Sequence, residues 1–87
     1  MLMAKIEVYT QQFCPYCARA LGLLRKKGVV FEEKHAPNGS DNRKEAVARS
    51  GGQTTVPQVF IDGRHIGGCD DLMALDRQGG LAPLLAG

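Results

Sequence analysis

The sequence predicts an α/β fold in which a βαβ unit is followed by a helix, a β-hairpin and a closing helix. Three observations carry this expectation. Lys5-Ile6-Glu7-Val8-Tyr9 alternates polar and apolar side chains, which is the period of a strand. From Pro15 the apolar residues recur at helical spacing until Gly28. Asp62-Gly63, lying between Gln58-Val59-Phe60-Ile61 and Arg64-His65-Ile66, is a strong two-residue hairpin signal.

Taken in order, the first strand is followed by Thr10-Gln11-Gln12-Phe13, a loop that delivers Cys14. Pro15 suits the first helical position, because its missing N–H is not needed there and its φ is already helical. Ala18, Leu21 and Leu24, with Leu23 beside them, form the expected apolar face, and Arg19, Arg25 and Lys26 lie largely off it. Gly28 stops the helix. Arg25, Lys26 and Lys27 place positive charge at the negative end of its dipole, so this cluster reads as a solvated helix end rather than a binding patch. Residues 29–34 are the second strand, and a crossover of this length joins parallel strands with a right-handed connection.

Pro37-Asn38-Gly39-Ser40 is loop chemistry. Asp41 or Asn42 begins the next helix, the latter with Glu45 three residues on as a capping-box partner. This helix runs through Ala46, Val47 and Arg49 to Gly51-Gly52, and its thin apolar face makes it the least stable helix expected. Thr54-Thr55-Val56-Pro57 leads into the hairpin, after which Gly67-Gly68 allows a sharp bend or the close approach of a ligand. Cys69 or Asp70 then caps a helix with Leu72 and Leu75 on its apolar side and Met73 beside them. Gly79-Gly80 ends it, and Leu81, Leu84 and Leu85 pack a last short turn onto the core.

A chain of 87 residues has the length of one domain, spanning 1–87, with one small core. Its 11 Lys and Arg against 9 Asp and Glu give a net charge of +2 without a long basic block, which argues against nucleic acid or an anionic membrane as partner. Met1-Leu2-Met3-Ala4-Lys5 runs straight into the strand pattern without the apolar segment and cleavage site of a signal peptide. No run approaches the roughly 20 apolar residues of a membrane span. Three cysteines cannot form a fully paired disulfide framework within one chain. With no export signal, that usage suits a reducing, cytoplasmic compartment in which thiols do chemistry.

Cys14-Pro15-Tyr16-Cys17, placed between a strand and a helix, is the thioredoxin-type redox signature. At a helix N-terminus the unpaired backbone N–H groups and the positive end of the dipole favour a thiolate. Cys14 is therefore the candidate nucleophile, and Cys17, one turn along, the resolving thiol. A structural zinc site wants four ligands, usually as two close pairs. This chain offers one pair with Cys69 and His65 scattered, so no metal is expected. His35 and His65 read as surface strand residues.

Three separated motifs line up: Cys14-Pro15-Tyr16-Cys17, Thr55-Val56-Pro57 and Gly67-Gly68-Cys69-Asp70-Asp71. In these the chain resembles the glutaredoxins, and among them the small dithiol bacterial type, over essentially its whole length. The resemblance implies a thioredoxin-like fold, a four-stranded mixed sheet in the order 2-1-3-4 with helices on both faces. It implies a cis bond before Pro57, and glutathione lying in a groove shaped by Tyr16. There the backbone of Val56 pairs with the cysteinyl unit like an added strand, next to Thr55. Gly68, Cys69 and Asp70 receive the γ-glutamyl end, which suits the chemistry of a helix N-terminus and a carboxylate that can pair an ammonium. Gln11 and Gln53 stand at the glycine end, where relatives often carry a lysine and an arginine. Amides donate hydrogen bonds without the charge-assisted strength of those side chains.

The implied activity is reduction of protein–glutathione mixed disulfides and protein disulfides by a monomeric, glutathione-dependent oxidoreductase, with ribonucleotide reductase among the partners. The backbone of Cys69 is expected to serve glutathione while its thiol is structural. The alternative from another class is a carrier of an iron–sulfur cluster ligated by protein and glutathione thiolates. A proline directly after Cys14 and the presence of two thiols favour the catalytic reading.

Overall fold

Ile6–Thr10 forms β1, and all five of its residues are buried because both faces of this strand are covered. The computed structural model describes residues 4–86, so Met1-Leu2-Met3, named above in the opening strand pattern, lies outside the described residues, as does Gly87. The elements that follow are α1 (Pro15–Lys26), β2 (Glu32–His35), α2 (Asp41–Arg49), β3 (Gln58–Ile61), β4 (Arg64–Gly67), α3 (Cys69–Arg77) and α4 (Leu81–Leu85). The sheet order is β2-β1-β3-β4, the thioredoxin-like arrangement. β1 runs parallel to β2 with Glu7 opposite Glu32, and antiparallel to β3 with Val8 opposite Val59. β3 and β4 form the hairpin, whose turn residues Asp62 and Gly63 both have positive φ, 52° and 78°. A turn with two such residues matches the right-handed twist of the strands it joins.

The pleat sorts β1 between two clusters. Ile6 and Val8 point into a core shared with Val59, Ile61 and the leucines of α1, α3 and α4, including Leu21, Leu24, Leu72 and Leu81. Tyr9, on the opposite face, packs edge-on against Phe60 at 5.6 Å and with Ala36 and Ala46 under α2.

Four local details differ from the sequence expectation, each for a stated reason. On α1 the buried stripe is Cys17, Ala20, Leu21 and Leu24, while Ala18 is exposed. The stripe begins at the second thiol, and its i, i+3, i+4, i+7 spacing then excludes Ala18. The second strand begins at Glu32, not at Val29, because Val29 and Phe31 turn into the core from an irregular lead-in and Val30 stays 73 % exposed. Helix α2 is capped by Ser40, whose Oγ accepts from the Arg43 N–H at 3.1 Å; Glu45 instead accepts from the Tyr9 hydroxyl at 2.7 Å. Helix α3 begins one residue earlier than Cys69 or Asp70 would allow as cap. Gly68 is the cap, and its N–H donates to Asp71 Oδ2 at 3.3 Å.

Helix α2 has the thin apolar face expected, with Ala46 its buried residue. Two arginines tie it down. Arg49 forks onto both carboxylate oxygens of buried Glu7 at 2.9 and 3.0 Å and donates to the Tyr9 hydroxyl at 2.7 Å, while Lys34 reaches Glu7 Oε2 at 2.9 Å. A bidentate pair of this kind adds geometric specificity to its attraction. Arg43 holds the other end of the helix to the loops around the thiols, as described next. No helix among the described residues is long and apolar enough to cross a membrane.

Candidate functional site

Cys14 is the N-cap of α1, with φ −109° and ψ 104°. Its sulfur accepts the Cys17 N–H at 3.2 Å, so one of the unpaired donors of the helix end points at it. Pro15 occupies the first helical position, and the preceding Phe13, at φ 58°, swings its ring to 98 % exposure on the rim. Cys17 belongs to the core-facing stripe and is 3 % exposed. Burial first, then the hydrogen bond with Cys14, pushes its thiol well above the ordinary range, so Cys17 is held protonated at neutral pH. No disulfide joins the three cysteines.

Three segments converge beside Cys14 to form a groove of about 320 Å³. Tyr16 supplies the α1 wall, half exposed, with the Arg19 guanidinium 5.9 Å from its ring centre. The approach to β3 supplies the floor through Gln53, Thr55, Val56 and Pro57. The Val56–Pro57 peptide bond is cis, and the Val56 carbonyl lies 3.9 Å from Cys14 Sγ as its weak acceptor. The start of α3 closes the third side with Gly68, Cys69, Asp70 and Asp71. The glycines there answer to close approach. Gly67 has φ +123°, and a Cβ on it would run into the Asp71 carboxylate; a Cβ on Gly68 would press to 3.4 Å from the Pro57 carbonyl. Cys69 is buried, and burial followed by the nearby Asp70 charge raises its thiol too. Cys69 lines the groove as the first residue of α3, with Asp70 exposed beside it.

Of the residues singled out in the sequence, the structure gathers Tyr16, Gln53, Thr55, Val56, Pro57, Gly68, Cys69 and Asp70 around one groove. Gln11 lies apart from it. It lines a second, more apolar hollow of about 450 Å³ on the other side of the dithiol, together with Cys14, Cys17, Thr10 and Glu33. Its Oε1 accepts from the Arg43 guanidinium at 2.5 Å. Arg43 also donates to the backbone carbonyls of Ala36 and Thr54, both at 2.9 Å, and to Asn38 Oδ1 at 2.7 Å. This cation therefore links Gln11 to the Gln53–Thr55 segment.

Sequence reasoning missed Arg43, and it missed Gln58, which also lines the groove, and His65 behind it. Gln58 is wholly buried, and its Nε2 donates to Gln53 Oε1 and the Thr55 carbonyl, both at 3.1 Å. His65 Nε2 meets Gln58 Oε1 at 2.7 Å. The available signals were a polar residue directly after Pro57 at the head of a fully buried strand, and a second arginine on a helix with little apolar surface. Among the described residues no group of three or more His, Cys, Asp or Glu side chains gathers as a metal site.

Comparison with known proteins gives the same picture throughout. Residues 6–66 match the family model described as Glutaredoxin. The chain is 58 % identical to glutaredoxin 3 of Escherichia coli strain K12 over 83 residues, covering 95 % of this chain and 99 % of that one. The solution structure of glutaredoxin from Brucella melitensis superposes with a TM-score of 0.83 at 48 % identity, covering 97 % of this chain and 90 % of that chain. The crystal structure of a buckwheat glutaredoxin–glutathione complex superposes with a TM-score of 0.83 at 35 % identity, covering 94 % and 76 %.

Proposed function

This chain belongs to the glutaredoxin family, a thiol–disulfide oxidoreductase of the small dithiol bacterial type, and from that premise we propose that it draws its electrons from glutathione bound beside Cys14. The observation that carries the proposal is the position of Cys14 Sγ, 3.9 Å from the Val56 carbonyl at the head of the groove. An extended cysteinyl unit pairing its backbone with Val56 brings its own sulfur against Cys14. The exposed Asp70 and the N-terminal N–H groups of α3 suit the ammonium and carboxylate of a γ-glutamyl group. Gln53, which lines the groove, serves the glycine carboxylate, while Gln11, outside the groove, is tied through Arg43 to the Thr54 carbonyl beside it. The buckwheat neighbour, solved with glutathione, supports the same ligand.

Two routes follow from thiol–disulfide exchange. For a glutathionylated protein, the Cys14 thiolate attacks the glutathionyl sulfur. A Cys14–glutathione disulfide forms, the protein–glutathione bond breaks, and the protein thiolate leaves and takes a proton from solvent. A second glutathione, as thiolate, attacks the bound glutathione, releasing glutathione disulfide and restoring Cys14. For a protein disulfide, Cys14 forms a mixed disulfide with one protein sulfur and the other leaves. Cys17 then loses its proton and attacks Cys14 Sγ, so the protein departs fully reduced and a Cys14–Cys17 bridge remains for two glutathiones to open. A resolving thiol that stays protonated until this step does not compete with glutathione for Cys14.

The test is reduction of a glutathionylated peptide with glutathione, NADPH and glutathione reductase as the electron supply. Turnover should saturate with glutathione, and Asp70→Asn should raise the KM for glutathione about tenfold, the scale of a hydrogen bond to a charged group, with little change in kcat. Turnover as fast with thiols that carry no γ-glutamyl group, such as cysteine or dithiothreitol, as with glutathione would overturn the proposal.

A further inference from the structure

A primary amide can face a ligand with its carbonyl oxygen or with its NH₂ group, and only the second attracts a carboxylate. The hydrogen bonds behind the groove decide which end Gln53 presents. The Thr55 backbone carbonyl can only accept, so the Gln58 nitrogen 3.1 Å from it is the NH₂ end of that buried side chain. The same NH₂ group lies 3.1 Å from Gln53 Oε1 and 3.4 Å from Thr55 Oγ1. The other end of Gln58, Oε1, meets His65 Nε2 at 2.7 Å, and since an amide oxygen only accepts, His65 carries a proton on Nε2. The oxygen of Gln53 is thereby engaged by Gln58, which leaves its NH₂ group as the end available to a ligand in the groove that both residues line.

We propose that Gln58, itself held by the Nε2–H of His65, is a positioning residue that turns Gln53 into a hydrogen-bond donor for the terminal carboxylate of glutathione, so that His65, Gln58 and Gln53 together set the preference for a thiol bearing that carboxylate. The inference rests on the reading of the groove as a glutathione site. Gln11 follows the same logic: the donor-only Arg43 guanidinium takes its oxygen, and its NH₂ group is turned away from that contact. A neutral amide gives a carboxylate a weaker bond than a lysine or arginine does, and fixing its orientation in advance removes the ordering cost of the bond it makes. Gln58 is well suited to fix it. A wholly buried amide whose NH₂ and oxygen are both engaged has one satisfied arrangement, and rotating it by half a turn would oppose carbonyl to carbonyl at Thr55.

The experiment compares glutathione with γ-glutamylcysteine, which lacks the glycyl unit, as reductants of a glutathionylated peptide. Wild type should favour glutathione in kcat/KM by about tenfold, the worth of one hydrogen bond to a charged group. Gln53→Ala should bring the two thiols to near parity, and Gln58→Met should move the ratio most of the way there. The double variant should lose no more than Gln53→Ala alone, because Gln58 acts through Gln53. His65→Leu, a change at a half-buried position of β4, gives the same directional result if Gln58→Met folds poorly. Equal loss with both thiols in Gln58→Met and His65→Leu, or additive losses in the double variant, overturns the inference and leaves the glutathione reading standing. So does a wild type that uses the two thiols equally well. A wild type that makes no use of glutathione overturns both.

Discussion

Cys14→Ser is expected to lose deglutathionylation and protein-disulfide reduction alike, by on the order of a thousandfold or more, while Cys17→Ser keeps the first activity and loses the second. The asymmetry follows from placement. Cys14 is half-buried at the end of α1, where its sulfur accepts a backbone N–H and borders the groove. Cys17 is 3 % exposed on the core-facing stripe, and its thiol is held protonated by burial and by Cys14. A glutathionylated substrate needs one attack and one release, both at Cys14, and the second thiol takes no part. A protein disulfide leaves a mixed disulfide that Cys17, adjacent and already oriented by the helix, resolves faster than an external thiol. Rates for a glutathionylated peptide and for a peptide with an internal disulfide, measured on both variants, decide the matter. Residual deglutathionylation in Cys14→Ser would remove Cys14 from the role of nucleophile.

Arg49→Met is expected to cost about 3 kcal/mol of stability at neutral pH, or about 15 °C in melting temperature for a chain of this size. Glu7 is 4 % exposed, and without the Arg49 fork its charge is left to Lys34 alone. The hydrogen bond from Arg49, then Lys34, outweigh desolvation and hold the Glu7 carboxyl down from 4.5 to about 2. The sign of the pH effect follows. A depressed carboxyl contributes stability that is complete above the unfolded value, near 4.5, and is lost as pH falls toward 2. That contribution is on the order of 3 kcal/mol. Thermal unfolding of wild type and variant at pH 7 and pH 3 should therefore show a gap that narrows in acid, since at pH 3 Glu7 is already protonated in the unfolded chain while the wild-type fold still holds it ionised, and part of the Arg49 contribution is lost. A gap unchanged between the two pH values would mean that Arg49 acts through packing on Tyr9 and Phe60, whose ring centre lies 4.1 Å from the guanidinium carbon.

Much of the fold was legible because each element carries a local signal: alternation in β1, Pro15 and Gly28 bounding α1, and Asp62-Gly63 at the hairpin. The errors fall where tertiary contacts override local pattern. Val29 and Phe31 look like strand but are drawn into the core before the ladder begins, and Glu45, placed to complete a capping box, is claimed by a tyrosine hydroxyl 36 residues away. The candidate site was legible through its motifs, which name the residues that face the groove. The residues that orient them were not. Arg43 meets Gln11 across 32 positions, and Gln58 reads from sequence as an ordinary polar start to a strand. Partners of this kind have no fixed spacing, so no periodicity reveals them.

The Cys17 N–H that Cys14 Sγ accepts places the dithiol couple under the control of α1. That bond strengthens when the sulfur is a thiolate and weakens when it is half of a disulfide, so the helix end favours the reduced pair. For a two-electron couple about 1.4 kcal/mol corresponds to 30 mV. A hydrogen bond or two at this one sulfur therefore spans the interval over which a thiol pool switches from closing the bridge to opening it. In electrochemical terms the first turn of α1 helps set the potential of the couple, and a substitution at Pro15, which does not line the groove, is expected to retune its oxidising strength, whereas one at Tyr16 would also alter the groove wall.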